Sequence, residues 1–218
     1  MREGVELSLR HFSTSSKQRL TSEESAFFDY RSQILFVGYA LFFSADYRSR
    51  NERFTTSIGV RADGAGYSSK MAQLWRQLSP RISLSYALGK GFYVSGSTGI
   101  YYELPPLTAL GFRNQEGGLT NGELDYMRVF SSAVGSEYRL RDRLAISLEG
   151  FYKLYSQVPL STADQVPLTC KGNDYGVTGN EALISTAQGR AYGVELSARW
   201  QIPNKINLVG AFTLYWSE

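Results

Sequence analysis

The sequence has little of what most catalytic and metal sites need. Among 218 residues there is one cysteine, Cys170, and one histidine, His11. A single cysteine excludes an intrachain disulfide and a cysteine-based metal cluster. No nucleophile-elbow or HExxH pattern accompanies His11, and the acidic residues of 157–189 lack the EF-hand spacing of a calcium loop. We therefore expect no catalytic residue, no metal site and no cofactor, and the protein is not expected to be an enzyme.

Long apolar runs and a strong net charge are also missing. No run approaches the eighteen or so residues that a transmembrane helix needs. The longest candidate, 34–43, contains Gly38 and is rich in aromatic residues, so it is better interpreted as a strand. The net charge is only +3, from 23 basic and 20 acidic residues. Because no Lys/Arg run reaches five and no recognition motif appears, a nucleic-acid partner is not expected.

What the sequence does have is period-two alternation of apolar and polar residues. In 144–155 the apolar set is Leu144, Ile146, Leu148, Tyr152 and Leu154. Such alternation gives a strand one apolar face and one polar face. Nine strands are predicted in this way, at 3–12, 32–47, 53–65, 80–88, 91–104, 128–140, 143–156, 190–201 and 205–217.

The predicted links alternate in length. The short ones are 48–52, Gly89-Lys90, Arg141-Asp142 and 202–204 with Pro203 and Asn204. The long ones are 13–31, 66–79, 105–127 and 157–189. Short turns at one rim and long loops at the other are typical of an outer-membrane β-barrel, whereas a soluble sandwich, the alternative, has no reason for this arrangement. We therefore predict an all-β fold, an antiparallel up-and-down transmembrane β-barrel segment with a polar face towards a lumen.

Parity assigns individual side chains to the two faces. The residues expected to point outward are Leu144, Ile146, Leu148, Leu196 and Trp200, and those expected to point inward are Ser147, Glu149, Glu195 and Arg199. For the inward charges of 190–201 we expect ion pairs with Glu149 and Lys153 of the preceding strand. A contact with a plug or a ligand is the alternative.

Tyrosines near the long-loop rim are candidates for two roles. Tyr102 and Tyr152 have the apolar parity, which is typical of an interfacial aromatic girdle. Tyr101 and Tyr155 have the lumen parity and are candidates to line the entrance. The candidate ligand-binding residues, at the lumen mouth and in the outer loops, are Tyr101, Phe112, Asn114, Tyr155, Asp174 and Tyr175.

Five motifs carry a resemblance to a known family. They are 78–86 (LSPRISLSY), 99–106 (GIYYELPP), 148–156 (LEGFYKLYS), 189–196 (GRAYGVEL) and 212–218 (FTLYWSE). In this order and spacing the chain resembles the middle of the barrel of a TonB-dependent outer-membrane receptor of the Bacteroidetes type. The resemblance covers nearly the whole chain, and it is weakest over 1–31.

The resemblance implies more than the pattern shows. Such receptors have a barrel of about 22 strands, an N-terminal plug domain and a short box that binds TonB. They import scarce, bulky ligands, namely iron chelates, cobalamin, glycans or peptides, through the outer membrane of a Gram-negative bacterium. The expected partners are membrane lipid, the protein's own plug domain, the TonB complex and an outer-surface lipoprotein.

The resemblance also sets an expectation for the extent of the domain. Neither a plug nor a TonB box is recognised in 1–218, and nine strands are fewer than such a barrel contains. Residues 1–218 are therefore expected to be one partial β-barrel domain, a fragment without its plug domain. The alternative function is that of a passive porin or of an outer-membrane adhesin or enzyme barrel.

Overall fold

Nine antiparallel strands form a single sheet in the computed structural model, which describes residues 1–19, 27–114, 116–140, 143–171, 179–202 and 206–218. The strands are β1 (Arg2–Arg19), β2 (Phe27–Arg48), β3 (Phe54–Ala65), β4 (Leu78–Gly89), β5 (Phe92–Glu103), β6 (Met127–Leu140), β7 (Leu144–Ser161), β8 (Leu183–Ile202) and β9 (Ile206–Ser217). Each strand pairs with its neighbours in sequence. The predicted all-β antiparallel fold with nine strands is confirmed.

In the described part of the chain, helical structure is confined to short turns in the loops. The α-helix α1 spans Leu107–Leu110, and 3₁₀ turns span Leu74–Gln77 and Leu168–Cys170. Among the residues that the structure describes, no helix has the length and apolar character to cross a membrane.

Four strands are longer than the alternation predicted. β1 and β2 continue their ladder above the apolar segment, where Ser13 lies opposite Gln33 and Ser15 opposite Arg31. Likewise, β7 continues to Ser161, and β8 already begins at Leu183. The predicted bounds 13–31 and 157–189 of two long loops are therefore too wide. The apolar pattern ends where the side chains become polar, whereas the backbone ladder needs no apolar side chains to continue.

The register confirms the two faces that parity predicted. Leu148 lies opposite Leu196 and Leu144 opposite Trp200; we call the side that they share the apolar face. Ser147 lies opposite Ser197 on the other side, the polar face, and their hydroxyl oxygens are 2.7 Å apart. Leu148 and Trp200 are about half exposed, at 50% and 51%. A sheet that exposes an unbroken row of large apolar side chains is suited to lipid rather than to water.

The predicted ion-pair ladder between β7 and β8 does not form. Glu149 lies directly opposite Glu195, and Lys153 lies opposite Ala191. The Lys153 Nζ atom is instead 5.6 Å from the centroid of the Phe151 ring. Across the polar face of these two strands, as far as the structure describes them, no ion pair is present. Parity fixes which face a side chain takes, but only the register decides which residue lies opposite it.

The turn between β4 and β5 shows why glycine is needed at the short-turn rim. Gly89, Lys90 and Gly91 all have positive φ, at 105°, 53° and 85°. A Cβ atom on Gly91 would lie 2.1 Å from the carbonyl oxygen of Arg139, so no other residue fits without a shift of the backbone. The predicted turns at Arg141-Asp142 and Pro203-Asn204 lie outside the described residues.

Buried apolar side chains gather at the long-loop end of the polar face. The described parts of three loops, within 66–77, 104–126 and 162–182, meet there on Ile34 and Phe36 of β2. The buried members of this cluster, which we call the loop core, are Ile34, Phe36, Ala65, Met71, Ala109, Leu110, Leu124, Tyr126, Leu168 and Leu183. The loops therefore fold back on the sheet as a packed unit.

Candidate ligand-binding cleft

A cleft of about 520 Å³ lies on the polar face beside the loop core. Side chains from β1, β3, β4 and β5 form its wall, and the loop that follows β5 forms its edge. Its arginines and tyrosines are Arg10, Arg61, Arg81, Tyr101, Tyr102 and Tyr126. The volume falls in the range of roughly 300–1,000 Å³ that is usual for ligand pockets.

One of the three arginines is held by carboxylates. The Arg61 Nη2 atom is 2.9 Å from Glu6 Oε2, and its Nε atom is 2.9 Å from Asp63 Oδ1. Glu6 and Asp63 lie on either side of Ala40 in the register. Because Ala40 is small, the arginine can reach across β2 to a carboxylate on β1. This ion-pair group fixes the floor of the cleft.

The other two arginines, Arg10 and Arg81, are not held in this way by carboxylates that the structure describes. Among the described residues, no carboxylate lies within ion-pair distance of Arg10 or Arg81. The guanidinium carbon of Arg81 lies 5.5 Å from the centroid of the Tyr101 ring, a cation–π contact. A guanidinium presents five donors in a planar fork that matches paired oxygen atoms. Arg10 and Arg81 can therefore donate to an oxygen-rich ligand.

Buried tyrosine hydroxyls supply further donors near the cleft. Tyr126 is only 5% exposed, and burial raises the pKa of its hydroxyl to about 12. Burial likewise raises the pKa of Tyr67 to about 12. The Tyr67 hydroxyl shares its one proton between the carbonyl oxygens of Leu110 at 2.7 Å and Asn121 at 3.1 Å. Both hydroxyls stay protonated at physiological pH, so Tyr126 can donate to a ligand while Tyr67 holds the loop.

Asn121 joins two outer loops above the cleft. Its side chain is 1% exposed, and its Nδ2 atom donates to the carbonyl oxygens of Ala109 at 2.8 Å and Glu181 at 2.9 Å. Its Oδ1 atom accepts from the backbone N–H of Leu183 at 2.9 Å. Because one buried side chain bonds backbone groups of both loops, it holds the two loops together in this arrangement.

A lysine holds the acidic residues of the loop between β7 and β8. The Lys171 Nζ atom lies 2.8 Å from Asp164 Oδ2 and 2.6 Å from Glu181 Oε2. Ser161 also donates to Glu181. Hydrogen bonds lower the pKa of Asp164 to about 2; the one from Lys171 has the largest effect and the one from the backbone of Val166 the next largest. These carboxylates thus bind a lysine of their own loop.

The candidate ligand-binding residues predicted from the sequence do not all lie at the cleft. Tyr101 lines the cleft. Tyr155 lies on β7 opposite Gly189, away from the cleft. Phe112 lies in the loop, where its carbonyl accepts from Thr120. The Asn114 Oδ1 atom accepts from the backbone of Gly118 at 2.8 Å and so closes a turn. Asp174 and Tyr175 lie outside the described residues.

The two tyrosines expected in an aromatic girdle lie in different places. Tyr152 lies in a row on the apolar face, with its ring centroid 6.3 Å from that of Tyr192. Tyr102 instead lines the cleft and packs against the loop core. Arg10 and Tyr126 were missed as site residues. The polar parity of Arg10 was visible in the sequence, but the folding of the loop that carries Tyr126 was not.

Together the fold and the cleft define the wall of a transmembrane β-barrel. Residues 5–217 match the family model described as "TonB dependent receptor-like, beta-barrel", and the chain belongs to that family. The family consists of receptors and transporters of the Gram-negative outer membrane, so the predicted localisation and family are confirmed. The match does not extend to the Bacteroidetes type, which stays a prediction.

Solved structures share the fold at low sequence identity. The siderophore receptor PirA from Pseudomonas aeruginosa has a TM-score of 0.63 at 14% identity, over 98% of this chain and 41% of its own. The ferric-catecholate import receptor Fiu from Escherichia coli K12 gives 0.67 at 13%, over 99% and 34%. The copper transporter OprC gives 0.64 at 12%, over 99% and 35%. The chain thus spans about two fifths or less of these structures. No curated protein matches it in sequence.

Proposed function

We propose that the protein containing this chain imports a scarce, bulky ligand across the outer membrane in a TonB-dependent step, without catalysing a reaction. The observation that carries this proposal is the cleft itself. It lies on the lumen side of the wall, at the long-loop rim, beside loops that Asn121 fixes in place. A ligand that enters from outside meets this cleft before it meets the rest of the lumen.

Four ligand classes are candidates: iron chelates, cobalamin, glycans and peptides. The chemistry of the cleft favours an iron chelate. Arg10 and Arg81 offer guanidinium donors, and Tyr101 offers an aromatic face. Catecholate and carboxylate groups around ferric iron combine negative oxygen atoms with planar surfaces, which suits both features. The carboxylates of the cleft, Asp63 and Glu103, do not oppose this, because Asp63 pairs with Arg61 and Glu103 is exposed at the rim.

Import would proceed along the polar face. The loops and the cleft bind the ligand at the outer rim, and rearrangement of the protein's own plug domain, driven from the inner membrane through TonB, releases it inward. The polar face carries many hydroxyls, among them Ser83, Ser95, Ser97, Ser147 and Ser197. Such a surface offers weak, exchangeable hydrogen bonds to a passing ligand. An outer-surface lipoprotein is the further proposed partner.

The test is uptake by whole cells that make the full-length protein. Cells take up radioactive iron presented as ferric tris(2,3-dihydroxybenzoate), with and without a protonophore that abolishes the inner-membrane proton gradient. The proposal expects uptake that the protonophore abolishes, and no comparable uptake of neutral maltoheptaose. Iron uptake that persists with the protonophore would show a passive porin and would overturn the proposal. Absence of any gradient-dependent uptake of this chelate would overturn the assignment of the ligand class.

A further inference from the structure

Between β3 and β9, the described part of the apolar face carries charge at one end only. In strands β3 to β9, as the structure describes them, the positions on this face hold no acidic or basic side chain over most of their length. The exceptions are Arg128 on β6 and Arg190 on β8, together with Glu218 directly after β9. All three lie at the end of the sheet where the long loops begin. The charges are therefore confined to the outer edge of the lipid-facing surface.

A groove connects the two arginines. It has a volume of about 480 Å³, and Arg128, Arg190, Ser156 and Gln188 are among its lining residues. Arg128 lies opposite Ser156 and Arg190 opposite Leu154, so the arginines are placed diagonally across β7. The apolar side chains of Phe130 and Leu154 also line the groove, so it has both an apolar part and a rim of hydrogen-bond donors.

A row of aromatic rings lies one step below the arginines. The ring centroids of Tyr192 and Trp216 are 5.7 Å apart, and those of Tyr152 and Tyr192 are 6.3 Å apart. Tyrosine and tryptophan in such rows mark the depth of the lipid headgroups. Tyr192 follows Arg190 by two positions along the lipid-facing side of β8, so the arginines lie just beyond the level of the aromatic rings, nearer to the long loops. The arginines are therefore at the depth expected for the phosphates of the outer leaflet.

The two arginines differ in how far the protein already satisfies them. The Arg190 Nε atom donates to Glu218 Oε2 at 2.9 Å, and its Nη2 atom contacts the same oxygen. Arg128 has no carboxylate within ion-pair distance among the described residues. The groove therefore keeps a positive excess of one charge, and guanidinium donors remain for an anion.

We propose that this groove binds the phosphorylated headgroup of an outer-leaflet lipid, with Arg128 and Arg190 donating to phosphate oxygens and the acyl chains lying on the apolar face below. Ser156 and Gln188 add neutral donors beside the arginines. The lipid would have to enter from the membrane side, and the continuity of the groove with the apolar face of Leu154 and Phe130 allows this. A protein partner is less well matched, because a membrane-embedded wall presents this surface to lipid first.

The experiment measures lipid binding by the full-length protein extracted from outer membranes in detergent. Native mass spectrometry counts bound lipid when diphosphorylated lipid A is added, and again with lipid A from which the phosphates have been removed. The double variant Arg128→Gln/Arg190→Gln is compared with wild type. Arg53→Gln, which makes the same kind of change at one exposed arginine of the short-turn rim, is the control.

The proposal expects the double variant to bind the phosphorylated lipid at least about tenfold more weakly than wild type, because both guanidinium groups that donate to the phosphate are lost. Arg53→Gln should bind as wild type does, and the dephosphorylated lipid should bind wild type and double variant equally weakly. A circular dichroism spectrum like that of wild type confirms that the double variant is folded. Equal binding by the double variant and wild type, or equal binding of the two lipids to wild type, would overturn the proposal.

Discussion

The Nδ2 atom of Asn121 donates a hydrogen bond to the carbonyl oxygen of Glu181 at 2.9 Å and so joins the loop between β5 and β6 to the loop between β7 and β8. The same side chain holds Ala109 and Leu183. Sixty residues of chain separate Asn121 from Glu181, so this contact is a property of the folded loops and not of either loop alone. The outer loops thus present one fixed surface above the cleft.

Replacing Asn121 with alanine should loosen this surface. The change removes the Asn121 partner of the backbone N–H of Leu183 and of the carbonyl oxygen of Glu181, and each unsatisfied buried group costs about 1–3 kcal/mol. The carbonyl oxygen of Ala109 keeps its hydrogen bond from the backbone of Phe112. Hydrogen–deuterium exchange should become faster at 109–111 and 181–183. The same Asn→Ala change at the exposed Asn114 should leave exchange at 181–183 unchanged; equal acceleration by both variants would contradict the role given to Asn121.

Gly179 offers a second test of the contact between the loops. Its φ is +97°, and a Cβ atom there would lie 3.0 Å from both the backbone nitrogen and the Cβ atom of Ala109. Gly179→Ala should therefore destabilise the loop core by about 1–3 kcal/mol, through backbone strain and crowding. Gly122→Ala is the control, because nothing lies within 4 Å of its Cβ position. Faster exchange at 109–111 in the control than in Gly179→Ala would be evidence against a close loop contact.

The Asp164–Lys171 ion pair predicts a pH dependence of the outer loop. The pKa of Asp164 is lowered from 3.8 to about 2 in the folded protein. A lowered folded-state pKa means that the contribution to stability is present above pH 3.8 and is lost as the pH falls towards 2. NMR titration of the Asp164 carboxyl carbon should give the low pKa in wild type and a higher pKa in Lys171→Met, still below 3.8 because the hydrogen bond from Val166 remains. Identical titrations would show that the lysine does not hold the carboxylate.

The two faces of the wall can be distinguished at adjacent residues. In a background with Cys170→Ser, Leu148→Cys should react with a lipid-soluble maleimide in intact outer membranes, and Ser147→Cys should react far less. The reason is that Leu148 lies on the apolar face and Ser147 on the polar face. Leu196→Cys and Ser197→Cys, which lie opposite them in β8, should repeat the difference. Preferential lipid-phase labelling of the serine positions would reverse the assignment of the faces.

The sequence was sufficient for the wall of the barrel and insufficient for the cleft. Period-two alternation identified all nine strands and put Leu148 and Ser147 on opposite faces, because lipid selects for that alternation directly. The pairing of Ser13 with Gln33 was not predicted, since a polar ladder outside the membrane has no such pattern. Neither was Glu149 opposite Glu195, which depends on register rather than parity.

The site was harder to predict because distant segments build it. Tyr101 was a candidate from its parity and its place at the rim. Its partners in the cleft are Arg10 of β1, Arg81 of β4 and Tyr126, which ends the loop before β6. Only the closed packing of the loop core brings that tyrosine to the sheet, and no local sequence pattern records such packing.

The binding of ferric tris(2,3-dihydroxybenzoate) to the detergent-purified full-length protein tests the proposed ligand cleft most directly. Arg81→Gln removes a guanidinium that faces the cleft, and the dissociation constant measured by tyrosine fluorescence quenching should rise about tenfold or more, because a charge-assisted hydrogen bond is worth about 1.5–3 kcal/mol. Arg53→Gln, at the opposite rim, should leave the constant unchanged. A dissociation constant for Arg81→Gln equal to that of wild type would contradict the account.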